Sequence, residues 1–158
     1  MKEEIKKLLE ETERKAEVLE ETFEKKAEML EEDAKAYWEE LKCDLERVKK
    51  KLKHAYEKME GETELQAHLL ALEAKEEMQE LKDAWETMLL RMKNETKQTL
   101  DIAALKAHLA KMEAENYFEE KRKEWRHLYA KSKVEAELAA KKALKELNEF
   151  FAKLTTAP

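Results

Sequence analysis

The chain has 158 residues, a net charge of −6, one Gly and one Pro. Proteins average roughly 7% Gly and 5% Pro, so turns are few, and the scarcity of β-branched residues leaves little from which to build a sheet. The negative balance argues against a general nucleic-acid binder, which needs net positive surface to displace counterions from phosphate.

Charged residues make up 44% of the chain and hydrophobic residues 42%. The hydrophobic ones recur at helical spacing, which predicts helix rather than disorder. The first helix is expected over about 2–60. Its apolar line includes Ile5, Leu8, Ala16, Leu19, Phe23, Ala27, Leu30, Ala34, Tyr37, Leu41, Leu45, Val48, Leu52 and Tyr56. Steps of mostly 3, 4, 4 lie nearer an eleven-residue repeat than a heptad and predict a straight or slightly right-handed helix. At about 1.5 Å per residue the rod would be roughly 87 Å long. Asp33 could cap a new helix, but no breaker accompanies it, so an unbroken rod is expected.

Gly61 suits the left-handed residue that ends a helix. Thr63 and Gln66 fit a capping box, which places a turn at 60–63. The second helix is expected over about 64–98, with Ala67, Leu70, Ala74, Met78, Leu81, Trp85, Met88 and Met92 on its stripe. The pattern fades after Met92, and a break at 94–101 is favoured, with Asp101 or Thr99 capping the third helix. That helix is expected over about 102–154 and carries Ala at repeated contact positions; its core face is weakest at Glu119 to Glu124. Residues 65–85 also align with 105–125 at an offset of 40, pairing His68 with His108 and Trp85 with Trp125. Duplication and chance matching in a biased alphabet explain this equally well.

The expected fold is therefore all-α: an elongated bundle or coiled coil of two or three long amphipathic antiparallel helices in one domain, 1–158. Residues 1–33 are strongly acidic, whereas Arg47–Lys53 and Lys121–Lys133 are basic. If the three helices alternate in direction, the first and third are parallel, and these segments meet across an antiparallel dimer. A homo-oligomer or a partner helix is expected because the second helix is too short to cover its neighbours. The expected interface residues are Trp38, Trp85, Met88, Met92, Trp125, Leu128, Leu147 and Phe150. The Met and Trp residues (Met78, Met88, Met92, Trp38, Trp85, Trp125) also read as core contacts, and Met packs adaptably both in cores and at binding surfaces.

Chemistry has little to draw on. His68 and His108 are the weak candidates for a metal, but antiparallel helices would hold them roughly 35–40 Å apart. Glu124-Trp125-Arg126-His127 is the one Glu-x-x-His sequence, where a di-iron bundle needs two. Ser132 and Cys43 have no identifiable base, and no Gly-rich loop exists to hold phosphate. The sequence thus predicts no enzyme, no cofactor and no nucleic-acid partner; the lysines near Trp125 read as a solvated face. No stretch approaches the roughly 20 apolar residues of a membrane span, and Met1-Lys2-Glu3-Glu4 opens no apolar signal core. With one cysteine, a reducing compartment and a cytoplasmic location are expected.

The expected function is structural: a self-associating bundle or coiled-coil scaffold or adaptor. In its eleven-residue periodicity and lack of Gly and Pro the chain resembles exchangeable apolipoproteins and phasins. That resemblance implies a second role, binding a lipid or granule surface through opened amphipathic helices, although apolipoprotein helices often carry Pro between repeats and this chain does not. A designed helical scaffold is a third reading, which the irregular Met, His and Trp placement fits poorly.

Overall fold

The computed structural model describes residues 2–60, 64–94, 99–114 and 116–156. Within them the chain is all-α, with seven helices: α1 (Lys2–Ala27), α2 (Glu32–Lys58), α3 (Glu64–Glu80), α4 (Lys82–Met92), α5 (Ile102–Glu113), α6 (Glu119–Tyr129) and α7 (Lys133–Thr156). The three long spans expected from the sequence are subdivided.

The largest difference is at 28–31, where the first span folds back into an α1–α2 hairpin. The last turn of α1 tightens, with the Met29 and Leu30 N–H groups donating to Lys26 and Ala27 carbonyls at 3.2 and 3.1 Å. Glu31 is extended at φ −65°, ψ 160° before α2 begins. No Gly or Pro drives the reversal; burial does. The stripes of α1 and α2 close on each other through Leu19, Phe23, Trp38, Leu41 and Leu45, all fully buried. Each such side chain contributes roughly 1.5–3 kcal/mol, against roughly 0.5–1.5 kcal/mol net for each helical hydrogen bond given up at the turn. Lys25 and Lys26 at the end of α1, with Glu32 and Asp33 at the start of α2, also suit the helix dipoles.

The second span bends between α3 and α4 at Leu81, whose N–H donates to the Met78 carbonyl at 3.2 Å. α4 ends near Asn94, a non-glycine residue at φ 57°, the left-handed geometry of a helix C-terminus. α5 opens with Asp101 accepting from the Ala104 N–H at 2.9 Å, the capping expected there. The residues of the 60–63 turn, Gly61 and Thr63 included, lie mostly outside the described residues, as do residues 95–98 of the 94–101 segment. The third span divides twice more. Ala114 turns extended at ψ 131°, and Ser132 Oγ accepts from the Glu135 N–H at 3.2 Å to start α7.

Ion pairs fix the directions. Lys6–Glu60 at 3.1 Å joins the start of α1 to the end of α2, and Arg91–Asp33 at 3.3 Å joins the end of α4 to the start of α2. Lys133–Glu64, Lys75–Glu146 and Lys153–Glu86, at 3.1, 3.4 and 3.8 Å, run in step along α3, α4 and α7, which are therefore parallel. α1, α2, α3–α4 and α7 form a ring of four around the core, with α5 laid on α2 and α6 on α3. The α5–α6 limb returns the chain to the start of α3, so that α7 runs parallel to α3 and to α1. Small residues mark the α3–α7 seam, with Ala67, Ala71 and Ala74 on α3 and Ala136, Ala140 and Ala143 on α7 all buried. Axes approach closely where side chains are small.

Candidate interaction site

α6 is the one helix with no buried residue. What holds it is charge. Arg122 donates to Glu73 through Nε at 2.9 Å and through a second guanidinium nitrogen, a two-point grip of the kind Arg makes best. Lys121 reaches Glu76 at 2.8 Å. Phe118, buried just before α6, lies under Lys51 at 4.8 Å and Arg122 at 6.0 Å from its ring centre, two cation–π contacts.

This grip belongs to a longer charge ladder between α2, α3, α5 and α6. Lys51 bridges Glu73 at 3.0 Å and Glu77 at 2.7 Å. Arg47 bridges Asp44 at 3.1 Å and Glu113 at 2.8 Å. Burial works against the Glu73 charge, but the Arg122 and Lys51 hydrogen bonds outweigh it and hold its pKa below the ordinary value. Asp44 goes the other way: burial first, then the nearby Glu77 charge, push its pKa up to about 8. Asp44 Oδ2 and Glu77 Oε2 are both buried without a hydrogen-bond partner. A proton on Asp44, donated toward Glu77, satisfies both oxygens.

The outer side of α6 and the start of α7 form an elbow. Leu128, Val134 and Leu138 are 51%, 59% and 51% exposed there. Val134 and Leu138 stand one turn apart on a single face of α7, while Trp125 and Tyr129 are half-buried. From residue 121 to 133 the chain carries Lys121, Arg122, Lys123, Arg126, Lys131 and Lys133 against the single acid Glu124. α1, across the ring from α3, has the opposite character. Glu10, Glu13, Arg14 and Glu17 line one surface depression, and burial with the neighbouring Glu17 charge raises the Glu13 pKa. Val18 is 44% exposed beside them.

The residues expected at an interface divide. Trp38, Trp85, Met88 and Leu147 are buried in the chain's own core. Phe23, Trp38 and Trp85 stack there with ring centres 5.5, 5.5 and 5.9 Å apart, and Trp38 Nε1 donates to Glu24 at 2.7 Å. Met92, Trp125 and Phe150 are half-buried, and Leu128 is exposed. The two candidate metal-binding histidines are not brought together. His68 is buried on α3 with both ring nitrogens unpartnered, and burial lowers its pKa. His108 on α5 lies 3.8 Å from Glu80. Among the described residues no three His, Cys, Asp or Glu side chains converge to hold a metal ion. Nor, among those residues, is any helix long and apolar enough to cross a membrane. Ser132 serves as a cap, and Cys43 is exposed.

Three features were missed from the sequence. Val134 and Leu138 were legible as apolar residues one turn apart, off the alanine line of α7. Asp44 was legible as an acid three residues after Leu41 and four before Val48, on the core side of its helix. Compared with models of protein families, with curated proteins and with solved structures, the chain matches none.

Proposed function

We propose that the protein is a non-enzymatic helical scaffold that works by self-association, with the α6–α7 elbow of one copy seated on α1 of a second. The observation that carries this is the elbow itself, where Leu128 stands half exposed within the basic segment 121–133 and Val134 and Leu138 stand half exposed or more just after it. Isolated exposed apolar residues need no explanation, but Val134 and Leu138, one turn apart on the same face of α7, form an apolar pair that a partner would cover. The occupant is argued from complementarity: α1 offers Val18, 44% exposed, beside a mainly acidic depression lined by Glu10, Glu13, Arg14 and Glu17. Two such contacts related by a two-fold axis close an antiparallel dimer, the commonest form of self-association. Opposed charge sets the partner and register while apolar burial supplies affinity.

The test is the mass in solution, by size exclusion with light scattering, of the wild type and of Leu128→Glu/Leu138→Glu. Both leucines are exposed, so the variant keeps its core. The expected result is a dimer for the wild type and a monomer with unchanged helical circular dichroism for the variant. A wild-type monomer up to high micromolar concentration, or a variant that stays dimeric, rejects the proposal.

A second reading, docking on a lipid surface, draws support from α6 alone. Trp125, Leu128 and Tyr129 flanked by Lys and Arg resemble the composition of a helix lying on anionic lipid. Flotation with anionic vesicles separates the two: self-association predicts protein left in solution, and lipid docking predicts recruitment abolished by Leu128→Glu.

A further inference from the structure

Between the start of α3 and the α6–α7 turn lies a cavity of about 460 Å³, and His68 lines it. The imidazole is 1% exposed, and neither ring nitrogen has a hydrogen-bond partner among the described residues. We propose that this cavity binds a small neutral aromatic molecule carrying a hydroxyl group, a phenol, which hydrogen-bonds to the His68 ring. Three stretches build the walls. The start of α3 supplies Glu64, Leu65 and His68, the end of α6 supplies Tyr129, and the first turn of α7 supplies Lys133 and Ala136. Glu64 and Leu65 stand four and three residues before His68, so all three share one helix face.

The orphaned ring argues both for a ligand and for its class. Buried polar groups in folded proteins are almost always hydrogen-bonded, because a buried one left unpaired has lost water and gained nothing in exchange. A guest that fills the cavity and reaches the ring removes that cost. Burial lowers the His68 pKa, so at neutral pH the ring is uncharged and offers one N–H donor and one nitrogen acceptor. A hydroxyl both donates and accepts, so it suits either ring nitrogen in either tautomer. The charges at the wall are already spent on one another. Lys133 meets Glu64 at 3.1 Å and Glu137 at 4.0 Å, and Lys2 meets Glu64 at 3.7 Å, two cations against two carboxylates. That balance favours a neutral guest over an ion. Leu65, Ala136 and the Tyr129 ring supply apolar surface for a flat body. The volume falls in the range of organic-ligand sites, and a single water, with a share of about 30 Å³, would leave most of it empty. This assignment does not depend on self-association, since the exposed Leu128, Val134 and Leu138 take no part in the cavity wall.

The test is nuclear magnetic resonance of the histidine rings in the full chain at neutral pH, with phenol and, separately, benzene titrated in. Phenol should shift the His68 ring signals along a saturable one-site curve and leave those of His54 and His127, both exposed, in place. Benzene, the same ring without the hydroxyl, should bind at least about tenfold more weakly, the loss of one hydrogen bond to a buried group. His68→Phe, checked by circular dichroism for an unchanged fold, should weaken phenol binding in calorimetry by at least about the same tenfold factor. His68 signals that phenol leaves unmoved overturn the proposal. So does benzene that binds as tightly as phenol, which would make the cavity an apolar void indifferent to the imidazole. A folded His68→Phe variant that binds phenol as the wild type does overturns it as well. The benzene comparison needs only the wild type, so it decides the matter even where the variant does not fold.

Discussion

Replacing Asp44 by Asn should remove a pH dependence of stability that the wild type carries. Asp44 is fully buried, and its pKa is pushed up to about 8 from an ordinary 3.8. A carboxyl raised on folding binds its proton more tightly in the native state. Its stabilisation is complete below the unfolded pKa and is lost as pH rises toward and through the native one. With these values the contribution is about 4 kcal/mol near pH 5, about 1.4 kcal/mol near pH 7 and close to zero near pH 9. Asn keeps the shape and offers an N–H toward Glu77 in place of the acid proton, but does not titrate. His68, whose pKa burial lowers, costs stability as pH falls below its unfolded value. That trend is opposite in sign and common to both proteins, so it cancels in their difference. The assay is urea unfolding followed by circular dichroism at several pH values. The wild-type stability minus that of Asp44→Asn should fall by about 4 kcal/mol between pH 5 and pH 9. Parallel curves across that range would refute the reasoning, because Asp44 would then be an ordinary ionised partner of Arg47.

Two further outcomes follow from packing. Trp85→Ala removes the ring shared by Phe23 and Trp38 and should cost about 3–5 kcal/mol in chemical denaturation; Trp85→Phe should cost far less, because the buried Trp85 Nε1 has no hydrogen-bond partner to lose. Arg122→Gln breaks the two-point grip on Glu73 and should cost about 1–3 kcal/mol. In the same variant hydrogen exchange should accelerate across Glu119–Tyr129 and stay unchanged in α1 and α2, since α6 buries nothing else.

Helix existence was legible almost everywhere, because apolar residues recur at the helical period through most of Ile5 to Leu154 and mostly good helix formers separate them. The Asp101 cap was legible because its chemistry is local. The hairpin at 28–31 was not. An amphipathic stripe states only that a face must be covered; it does not say whether a second subunit or the next stretch of the same chain covers it. Without Gly or Pro, that choice rests on long-range contacts such as Phe23 on Trp38, which no local pattern encodes. The same ambiguity displaced the interface residues. Trp38, Trp85 and Met88 read both as core contacts and as interface residues, and the hairpin makes them core. Leu128 stayed outside because α6 is held to α3 through Lys121 and Arg122 and buries no residue of its own. The grip on α6 was hidden for a different reason: with charge so abundant, nothing in the sequence singles out the Arg122–Glu73 pair from the many solvated ones.

The most direct test of self-association through opposite charge is a swap read by sedimentation velocity. One variant reverses the elbow (Lys123→Glu/Lys131→Glu) and the other reverses α1 (Glu10→Lys/Glu17→Lys). Each alone should sediment as a monomer, and an equal mixture should return to twice the chain mass, since both contacts of the mixed pair are again complementary. A mixture that stays monomeric, or single variants that dimerise as the wild type does, would contradict the account.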